Sequence, residues 1–256
     1  MRLFDLSNRT ALVTGAGRGI GRASAIALAE AGAAVIVSDI DLDAAQAVVA
    51  SIEALGMRAL AVRCDVASDD DLAALVRTVD NHFGHIDVLV CNAGVQPYTG
   101  PIGEASDAEF QRTMDVNLKS AWRLTSLVAP GMVERRDGSI IIISSVAGIR
   151  GNKALGLYSL SKAANAALAR NLAVEHGPAN VRVNAISPGV IDTEFARPLT
   201  DNAEYTARRV ALTPLRRLGI PDDVAGAVVY LASAAGSFVS GHNLVIDGGT
   251  LVGDGS

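Results

Sequence analysis

The chain has 256 residues, of which 50% are apolar and 19% are charged, and its formal net charge is -5. This length and composition suit one large α/β domain whose core needs neither disulfides nor metals. The negative charge and the scattered basic residues argue against a surface for nucleic acid or anionic membrane.

Cysteine and histidine usage narrows the class further. Cys64 and Cys91 are too few for a secreted disulfide framework, so we expect reduced thiols and a cytoplasmic protein. The N-terminus lacks the apolar region of a signal peptide, and no stretch is apolar for the length of a membrane span. His82 and His85 lie close together without a third ligand nearby, so no metal site is expected.

Short β-branched runs alternate with longer segments of helical periodicity. In the first half we predict strand 10–14, helix 19–31, strand 34–39, helix 43–55, strand 58–64, helix 69–83 and strand 86–91. In the second half we predict helix 116–136, strand 139–144, helix 155–176, strand 181–186, helix 221–233 and strand 242–247. This alternation predicts βαβ units in a single doubly wound α/β domain, residues 1–256, with a parallel sheet flanked by helices.

Polar clusters follow the predicted strands. In doubly wound sheets, ligands bind beyond the carboxyl ends of the strands, so these clusters are expected to meet in one crevice. The clusters are Thr14-Gly15, Asp39, Asp65, Asn92-Ala93-Gly94, Ser144-Ser145 and Ser187-Pro188-Gly189.

The first strand is followed by a glycine-rich turn with the pattern G-x-x-x-G-x-G, formed by Gly15, Gly19 and Gly21. Glycines let the backbone turn tightly and approach a pyrophosphate at a helix N-terminus. The alternative is a plain strand-to-helix turn, but its place in the first βαβ unit favours dinucleotide binding.

Asp39 ends the second strand, near the spacing at which an acid accepts hydrogen bonds from an adenosine ribose. A carboxylate there repels the 2′-phosphate of NADP and favours NAD, although Arg18 in the glycine turn could reach that phosphate. Asp39 could instead cap a helix, for which Asp41 or Asp43 is the better candidate. Asp65 and Asn92 suit adenine and ribose contacts, but alone they are also ordinary turn residues.

Tyr158 and Lys162 are four residues apart in a predicted helix, so both side chains are expected on one face. A nearby ammonium lowers the pKa of a phenol from about 10 and makes it a proton-transfer group. Ser145 lies at the end of the fifth strand and could donate to a substrate oxygen, whereas Ser144 points the other way. A hydrolase is disfavoured because no G-x-S-x-G turn or His/Asp pair accompanies these serines.

Taken in order, these motifs resemble the classical short-chain dehydrogenase/reductase family over roughly residues 5 to 250. The motifs are the glycine turn, Asn92-Ala93-Gly94, Asn117, Ser145, Tyr158-x-x-x-Lys162 and Pro188-Gly189. Cys91 stands where the family usually has asparagine. The resemblance implies a Rossmann-like sheet of seven parallel strands, a nicotinamide cofactor and interconversion of a secondary alcohol and a ketone.

The resemblance also implies residue roles. Tyr158 would be the general acid/base, Lys162 would lower its pKa and bind the nicotinamide ribose, and Ser145 would polarise the substrate oxygen. Asn117 would hold a water that links Lys162 to solvent. The residues expected to contact the cofactor are Gly15, Arg18, Gly19, Ile20, Gly21, Asp39, Asp65, Val66, Asn92, Ala93, Gly94, Tyr158, Lys162, Pro188, Gly189, Ile191 and Thr193.

The segment 194–214 corresponds to the family's variable substrate lid. It holds the apolar residues Phe195, Leu199, Tyr205 and Leu212 and the arginines Arg197, Arg208 and Arg209. We interpret these arginines as the solvated face of an amphipathic helix rather than a carboxylate-binding cluster. Further pocket residues are expected at Gln96, Tyr98, Asn152 and Leu155.

The sequence therefore predicts an NAD-dependent oxidoreductase that acts on a small or medium, partly apolar alcohol or ketone. The family resemblance implies a homotetramer or homodimer. One alternative is an NADP-dependent 3-oxoacyl thioester reductase, against which Asp39 counts. Another is a non-catalytic cofactor-binding regulator, which is disfavoured because Tyr158 and Lys162 are both present.

Overall fold

The computed structural model describes residues 2–95 and 98–253, and within these residues seven parallel strands form one sheet. The spatial order is β3-β2-β1-β4-β5-β6-β7. The strands are β1 (Thr10–Thr14), β2 (Ala34–Asp39), β3 (Ala59–Arg63), β4 (Val88–Cys91), β5 (Gly138–Ile143), β6 (Val181–Pro188) and β7 (Asn243–Ile246). The predicted doubly wound fold with seven parallel strands is confirmed, and the strand bounds differ from the predictions by two residues or fewer.

The helices connect these strands. They are α1 (Gly19–Glu30), α2 (Leu42–Glu53), α3 (Asp69–Phe83), α4 (Asp107–Met114), α5 (Ser120–Arg135), α6 (Gly156–His176), α7 (Arg197–Thr200), α8 (Ala203–Leu212) and α9 (Pro221–Ala232). Side chains fix several starts: Asp41 caps α2 and Ser68 caps α3, each by accepting a hydrogen bond from a backbone N–H. None of the described helices is long and apolar enough to cross a membrane.

Among the predicted helix boundaries, the start of helix 116–136 is the least accurate. The chain is already helical from Asp107, and a π-helical segment (Asp115–Lys119) joins α4 to α5. The start at Asp107 follows from a capping box in which Ser106 and Glu109 exchange hydrogen bonds. π-helical turns are common at functional sites, and this one contains Asn117.

The sheet separates two apolar layers. One is formed with α1, α2 and α9 and includes Leu28, Val48 and Val228. The other is formed with α3, α5 and α6 and includes Leu75 and Leu124. Because both faces are covered, the central strands are mostly apolar, as in the fully buried β5.

The end of β1 touches the end of β4 through an asparagine. The Asn92 side-chain amide donates to the carbonyl oxygens of Thr14 (3.0 Å) and Gly15 (2.9 Å). Gly21 of α1 packs directly beneath this contact, and a Cβ there would overlap the Gly15 oxygen and the Asn92 amide nitrogen. The glycine turn therefore has no room for a side chain at position 21.

We predict that Gly21→Ala lowers the free energy of unfolding by about 1–3 kcal/mol, because backbone rather than a flexible side chain must move. The matched control is Gly226→Ala in α9, where nothing lies within 4 Å of an added Cβ. There alanine should be neutral or stabilise the helix by up to about 1 kcal/mol. Urea unfolding measures both, and equal midpoints for Gly21→Ala and wild type would contradict the packing argument.

Candidate active site

The carboxyl ends of the strands open into a cavity of about 850 Å³. Residues from the six predicted strand-end clusters line it, together with the 194–214 segment. Of the residues predicted to contact a cofactor, all but Gly21 are on the wall, and of the predicted catalytic residues all but Asn117 are. Most of the predicted site residues therefore meet in this cavity, while Gly21 and Asn117 lie behind its wall.

The glycine turn forms one wall of the cavity. Gly15 and Gly19 have φ angles of +60° and +53°, a conformation that favours glycine. A Cβ at Gly15 would lie 2.8 Å from the Cα of Ala93. Helix α1 begins at Gly19, and the side chain of its N-cap residue Arg18 makes no capping hydrogen bond. An uncapped helix N-terminus at a close backbone turn fits the pyrophosphate of a dinucleotide.

Asp39 is held beside this turn by backbone donors. Its two carboxylate oxygens accept hydrogen bonds from the N–H groups of Gly17 (2.8 Å) and Asp41 (3.0 Å). The Asp41 side chain caps α2, as expected, and Asp39 faces the cavity. The predicted ribose position of Asp39 fits this geometry.

Arg18 is engaged by two acids. Its guanidinium lies 2.6 Å from Asp41 Oδ2 and 3.5 Å from Glu194 Oε2. The side chain is 62% exposed, so each ion pair is weak in stability terms. The pairs nevertheless direct the charge of Arg18 toward protein carboxylates.

Asp65, Val66 and Asn92 also line the cavity. Asp65 accepts a hydrogen bond from the N–H of Ala67 at 3.0 Å, as a turn aspartate does. The Asn92 amide nitrogen is committed to β1 and the glycine turn, so Asn92 shapes the cavity by holding its wall.

Tyr158 and Lys162 lie one turn apart on α6, and both face the cavity. The Lys162 Nζ is 5.6 Å from the centroid of the Tyr158 ring and donates to the Ile143 carbonyl oxygen at 2.8 Å. Ser145 lies near the Tyr158 hydroxyl, and its Oγ accepts a hydrogen bond from the N–H of Ala147 at 3.1 Å. Ser144 also lies at the cavity, but its hydroxyl donates to the Lys162 carbonyl oxygen at 2.6 Å and is bound to the backbone of α6.

The pKa values differ from the expectation that Lys162 lowers that of Tyr158. Burial raises the pKa of Tyr158 to about 12, and the nearby Ser145 hydroxyl opposes this shift. Burial also lowers the pKa of Lys162 to about 8. Desolvation dominates the pKa shifts of both groups because α6 packs them against the sheet. The spacing of two residues in the sequence does not show how deeply they are buried, so the sequence could not predict these shifts.

Asn117 lies behind the wall and is 1% exposed. Its side-chain oxygen accepts from the N–H of Val95 at 2.7 Å, and its amide donates to the Val95 carbonyl at 2.8 Å and to Ser161 Oγ at 3.1 Å. A Cβ at Gly94 would lie 3.3 Å from Asn117 Oδ1 and 3.5 Å from Lys162 Nζ. Asn117 thus holds the segment after β4 next to Lys162.

The segment after β6 also lines the cavity, with Pro188, Gly189, Ile191 and Thr193. Thr193 reaches the glycine turn, because its Cγ2 would lie 3.3 Å from a Cβ at Gly19. This proximity fits the prediction that Thr193 contacts the cofactor.

The predicted lid residues divide between cavity and solvent. Phe195, Leu199 and Tyr205 line the cavity, whereas Leu212 does not. Arg197 and Arg208 are exposed, but Arg209 is half-buried and lines the cavity, so a solvated face describes only part of this helix.

The other predicted pocket residues also divide. Asn152 and Leu155 line the cavity, Tyr98 donates to the Pro101 carbonyl oxygen instead, and Gln96 lies outside the described residues. Arg112 and Arg150 are cavity residues that the sequence did not single out. Neither lies in a motif, so no sequence signal was available.

Comparison with known proteins gives concordant matches. Residues 15–250 match the family model described as enoyl-(acyl carrier protein) reductase. The chain is 42% identical over 247 residues to the 7alpha-hydroxysteroid dehydrogenase of Escherichia coli (strain K12), covering 95% of this chain and 94% of that protein.

Two solved structures superpose along nearly the whole chain. A 7alpha-hydroxysteroid dehydrogenase complexed with NADH and 7-oxo glycochenodeoxycholic acid gives a TM-score of 0.94 at 40% identity, covering 100% of this chain and 98% of that one. A gluconate 5-dehydrogenase from Burkholderia cenocepacia J2315 in complex with NADP and tartrate gives 0.94 at 33% identity, covering 98% of each chain. The two relatives thus carry different nicotinamide cofactors.

We predict that the free energy of unfolding of the wild type rises between pH 8 and pH 10 relative to that of Lys162→Met. In this window unfolded Lys162 keeps its proton, whereas the folded group, with its pKa of about 8, has lost most of it. The unfolded state then binds more protons, so stability rises with pH, by about 2 kcal/mol over the window.

The raised pKa of Tyr158 acts in the opposite sense only above about pH 10, where the unfolded phenol ionises. Urea unfolding of the cofactor-free protein at several pH values measures the difference. Lys153→Met, at an exposed position, is the control and should follow the wild type. A parallel pH dependence of wild type and Lys162→Met would disprove the assigned burial.

Proposed function

The chain belongs to the short-chain dehydrogenase/reductase family, and from this premise we propose that it interconverts a secondary alcohol and a ketone by hydride transfer with NAD(H). The observation that carries the proposal is the meeting of Ser145, Tyr158 and Lys162 on one cavity wall, beside the glycine turn. A phenol and a serine hydroxyl that lie close together on the cavity wall form a place where one substrate oxygen can be held.

The residues divide the work at this oxygen. NAD(H), when bound, supplies or accepts the hydride. Ser145 donates a hydrogen bond to the substrate oxygen and orients it. Tyr158 gives its phenolic proton to the oxygen of a ketone, or takes the hydroxyl proton of an alcohol, as general acid or base.

The local electrostatics suit both directions. The raised pKa of Tyr158 keeps the phenol protonated at neutral pH, ready to donate to a ketone. A protonated Lys162, whose Nζ is 5.6 Å from the ring centroid, favours the phenolate that alcohol oxidation needs. Asn117, fixed beside Lys162 through Val95, is proposed to hold the water that connects Lys162 to solvent.

NAD is proposed as the preferred cofactor because of the charges near the end of β2. The Asp39 carboxylate faces the cavity where a 2′-phosphate would approach, and like charges repel. Arg18, which could otherwise attract that phosphate, pairs with Asp41 and Glu194. These contacts favour NAD over the alternative of an NADP-dependent 3-oxoacyl thioester reductase.

We further propose that residues 1–256 act as one cofactor-binding and catalytic domain. Residues 194–214 serve as its substrate lid, since α8 buries none of its side chains while Phe195 and Leu199 contact the cavity. We also propose that the protein forms a homotetramer or homodimer and is located in the cytoplasm. Exposed apolar side chains such as Trp122 and Phe238 support such an assembly.

The test of function is turnover. Wild-type protein should reduce NAD with at least one member of a panel of cyclic, aromatic, sugar-like and steroid alcohols, followed by the absorbance of the reduced nicotinamide. Tyr158→Phe should lower kcat by at least about a hundredfold, since general acid/base catalysis contributes about 10²–10⁴-fold. Cofactor affinity, measured by calorimetry, should change little because the ring remains.

Tyr98→Phe is the matched control. Its hydroxyl bonds only to the Pro101 carbonyl oxygen among the described residues, and it should keep wild-type kcat. Activity retained by Tyr158→Phe would remove Tyr158 from its role. A panel without any turnover would count against the enzyme.

The cofactor preference has its own prediction. Asp39→Ala should raise the ratio of kcat/KM for NADP to that for NAD by at least about tenfold, because the repulsion of the 2′-phosphate is removed. Adding Asp41→Asn should raise it further, since Arg18 loses an acid partner while asparagine can still cap α2. Asp43→Asn, at an exposed acid in the same turn, should leave the ratio unchanged. An unchanged ratio for Asp39→Ala would show that Asp39 does not discriminate.

A further inference from the structure

Two arginines that line the cavity, Arg150 and Arg209, form no ion pair with any carboxylate among the described residues. Within the described part of the chain, the charged residues that line the cavity are Arg18, Asp39, Asp65, Arg112, Arg150, Lys162, Glu194 and Arg209. Asp39 and Asp65 follow β2 and β3, and Arg18 pairs with Glu194. Apart from Lys162, three cationic residues remain. Of these, Arg112 is exposed, and Arg150 and Arg209 are half-buried.

Arg150 and Arg209 come from different parts of the chain. Arg150 follows Ser145 in the connection between β5 and α6, and Arg209 lies on α8 of the lid. Burial lowers the pKa of Arg150, and the nearby positive charge of Arg209 lowers it further. Both residues are half-buried and line the same cavity, so two like charges share a partly desolvated space, which costs free energy unless an anion neutralises it.

The neighbouring groups do not supply that anion. The carboxylate whose negative charge acts on Arg150 is that of Asp247. Its oxygens already accept hydrogen bonds from the N–H groups of Gly249 (2.8 Å) and Leu251 (2.7 Å). Across residues 2–95 and 98–253, no carboxylate oxygen lies within 4.0 Å of the Arg150 or Arg209 guanidinium. Arg209 instead stands over the Tyr205 ring, 5.8 Å from its centroid.

We propose that Arg150 and Arg209 together bind a carboxylate of the substrate, which is therefore a keto acid or hydroxy acid rather than a neutral ketone or alcohol. Guanidinium groups match carboxylates in geometry and form strong charge-assisted hydrogen bonds. The apolar lid residues Phe195 and Leu199 and the loop residue Leu155 line the same cavity and suit a hydrocarbon body between the two ends. The reacting oxygen lies at Ser145 and Tyr158, and the carboxylate lies at the arginines.

This inference rests on the proposed alcohol/ketone function and deepens it. It differs from that function in its consequence: the enzyme should discriminate between an acid and its uncharged ester. It also assigns the lid a binding group, because Arg209 belongs to α8 while Arg150 belongs to the body of the domain. A bound carboxylate would thus draw the lid toward the site.

The experiment compares two ketones of the same skeleton, 4-oxocyclohexanecarboxylate and its methyl ester, reduced with NADH. The wild type should show a kcat/KM for the acid at least about tenfold above that for the ester, because a charge-assisted hydrogen bond is worth about that factor or more. Arg150→Gln and Arg209→Gln should each lower the acid-to-ester ratio by about tenfold. Arg208→Gln, at the exposed neighbour on α8, should leave the ratio unchanged.

Equal use of acid and ester by the wild type would overturn the inference while leaving the proposed enzyme function intact. An equal loss of ratio in Arg208→Gln would also overturn it, since it would point to the general positive field rather than to the two cavity arginines. A phosphonate or sulfonate of the same skeleton used in preference to the acid would replace the carboxylate by another oxyanion and contradict the assigned substrate class.

A binding measurement decides the matter if neither ketone is reduced. Calorimetric titration of cyclohexanecarboxylate into the protein with NADH should show binding that weakens about tenfold in Arg150→Gln and Arg209→Gln but not in Arg208→Gln. Absence of binding to the wild type would overturn the arginine site. Binding without turnover of any alcohol or ketone would instead support the site and count against the proposed reaction.

Discussion

The site depends on one close approach, in which the carboxyl ends of β1 and β4 are held together beneath the glycine turn. The amide of Asn92 donates to the backbone of Thr14 and Gly15, and Gly21 leaves room for this contact. A parallel sheet leaves a crevice where neighbouring strands send their connections to opposite faces, and β1 and β4 bound it here. Without this junction the N-terminus of α1 would not face the cavity.

Burial of Tyr158 and Lys162 sets the pKa values of these two groups. Helix α6 packs against the sheet, with Ser144 bonded to the Lys162 backbone and Lys162 bonded to Ile143. Desolvation therefore shifts the pKa of Lys162 down to about 8 and that of Tyr158 up to about 12. Both shifts favour the uncharged form of the group. They keep the proton on the Tyr158 phenol, where the reduction of a ketone would need it.

The charges of the cavity come from separate parts of the chain. Asp39 and Asp65 follow β2 and β3, Asp39 is bonded to the glycine turn through the Gly17 N–H, and Arg18 is paired with acids. Among the residues described, Arg150 and Arg209 also line the cavity, on the β5–α6 connection and on α8, without a carboxylate partner. Such an arrangement costs stability through repulsion and fits a ligand whose own charges complete it.

The sequence by itself determined the order of strands and helices along the chain, because local periodicity encodes it. It also determined that the glycine turn follows β1, that Asp39 ends β2 and that Tyr158 and Lys162 lie one turn apart on a helix, because spacing encodes these positions. It could not give the direction of the Tyr158 pKa shift, the packing role of Gly21, or the early start of the helix at Asp107. Nor could it separate Arg209 from Arg208, which are adjacent in the chain. Those features depend on burial and on contacts between distant segments, so only the tertiary structure decided them.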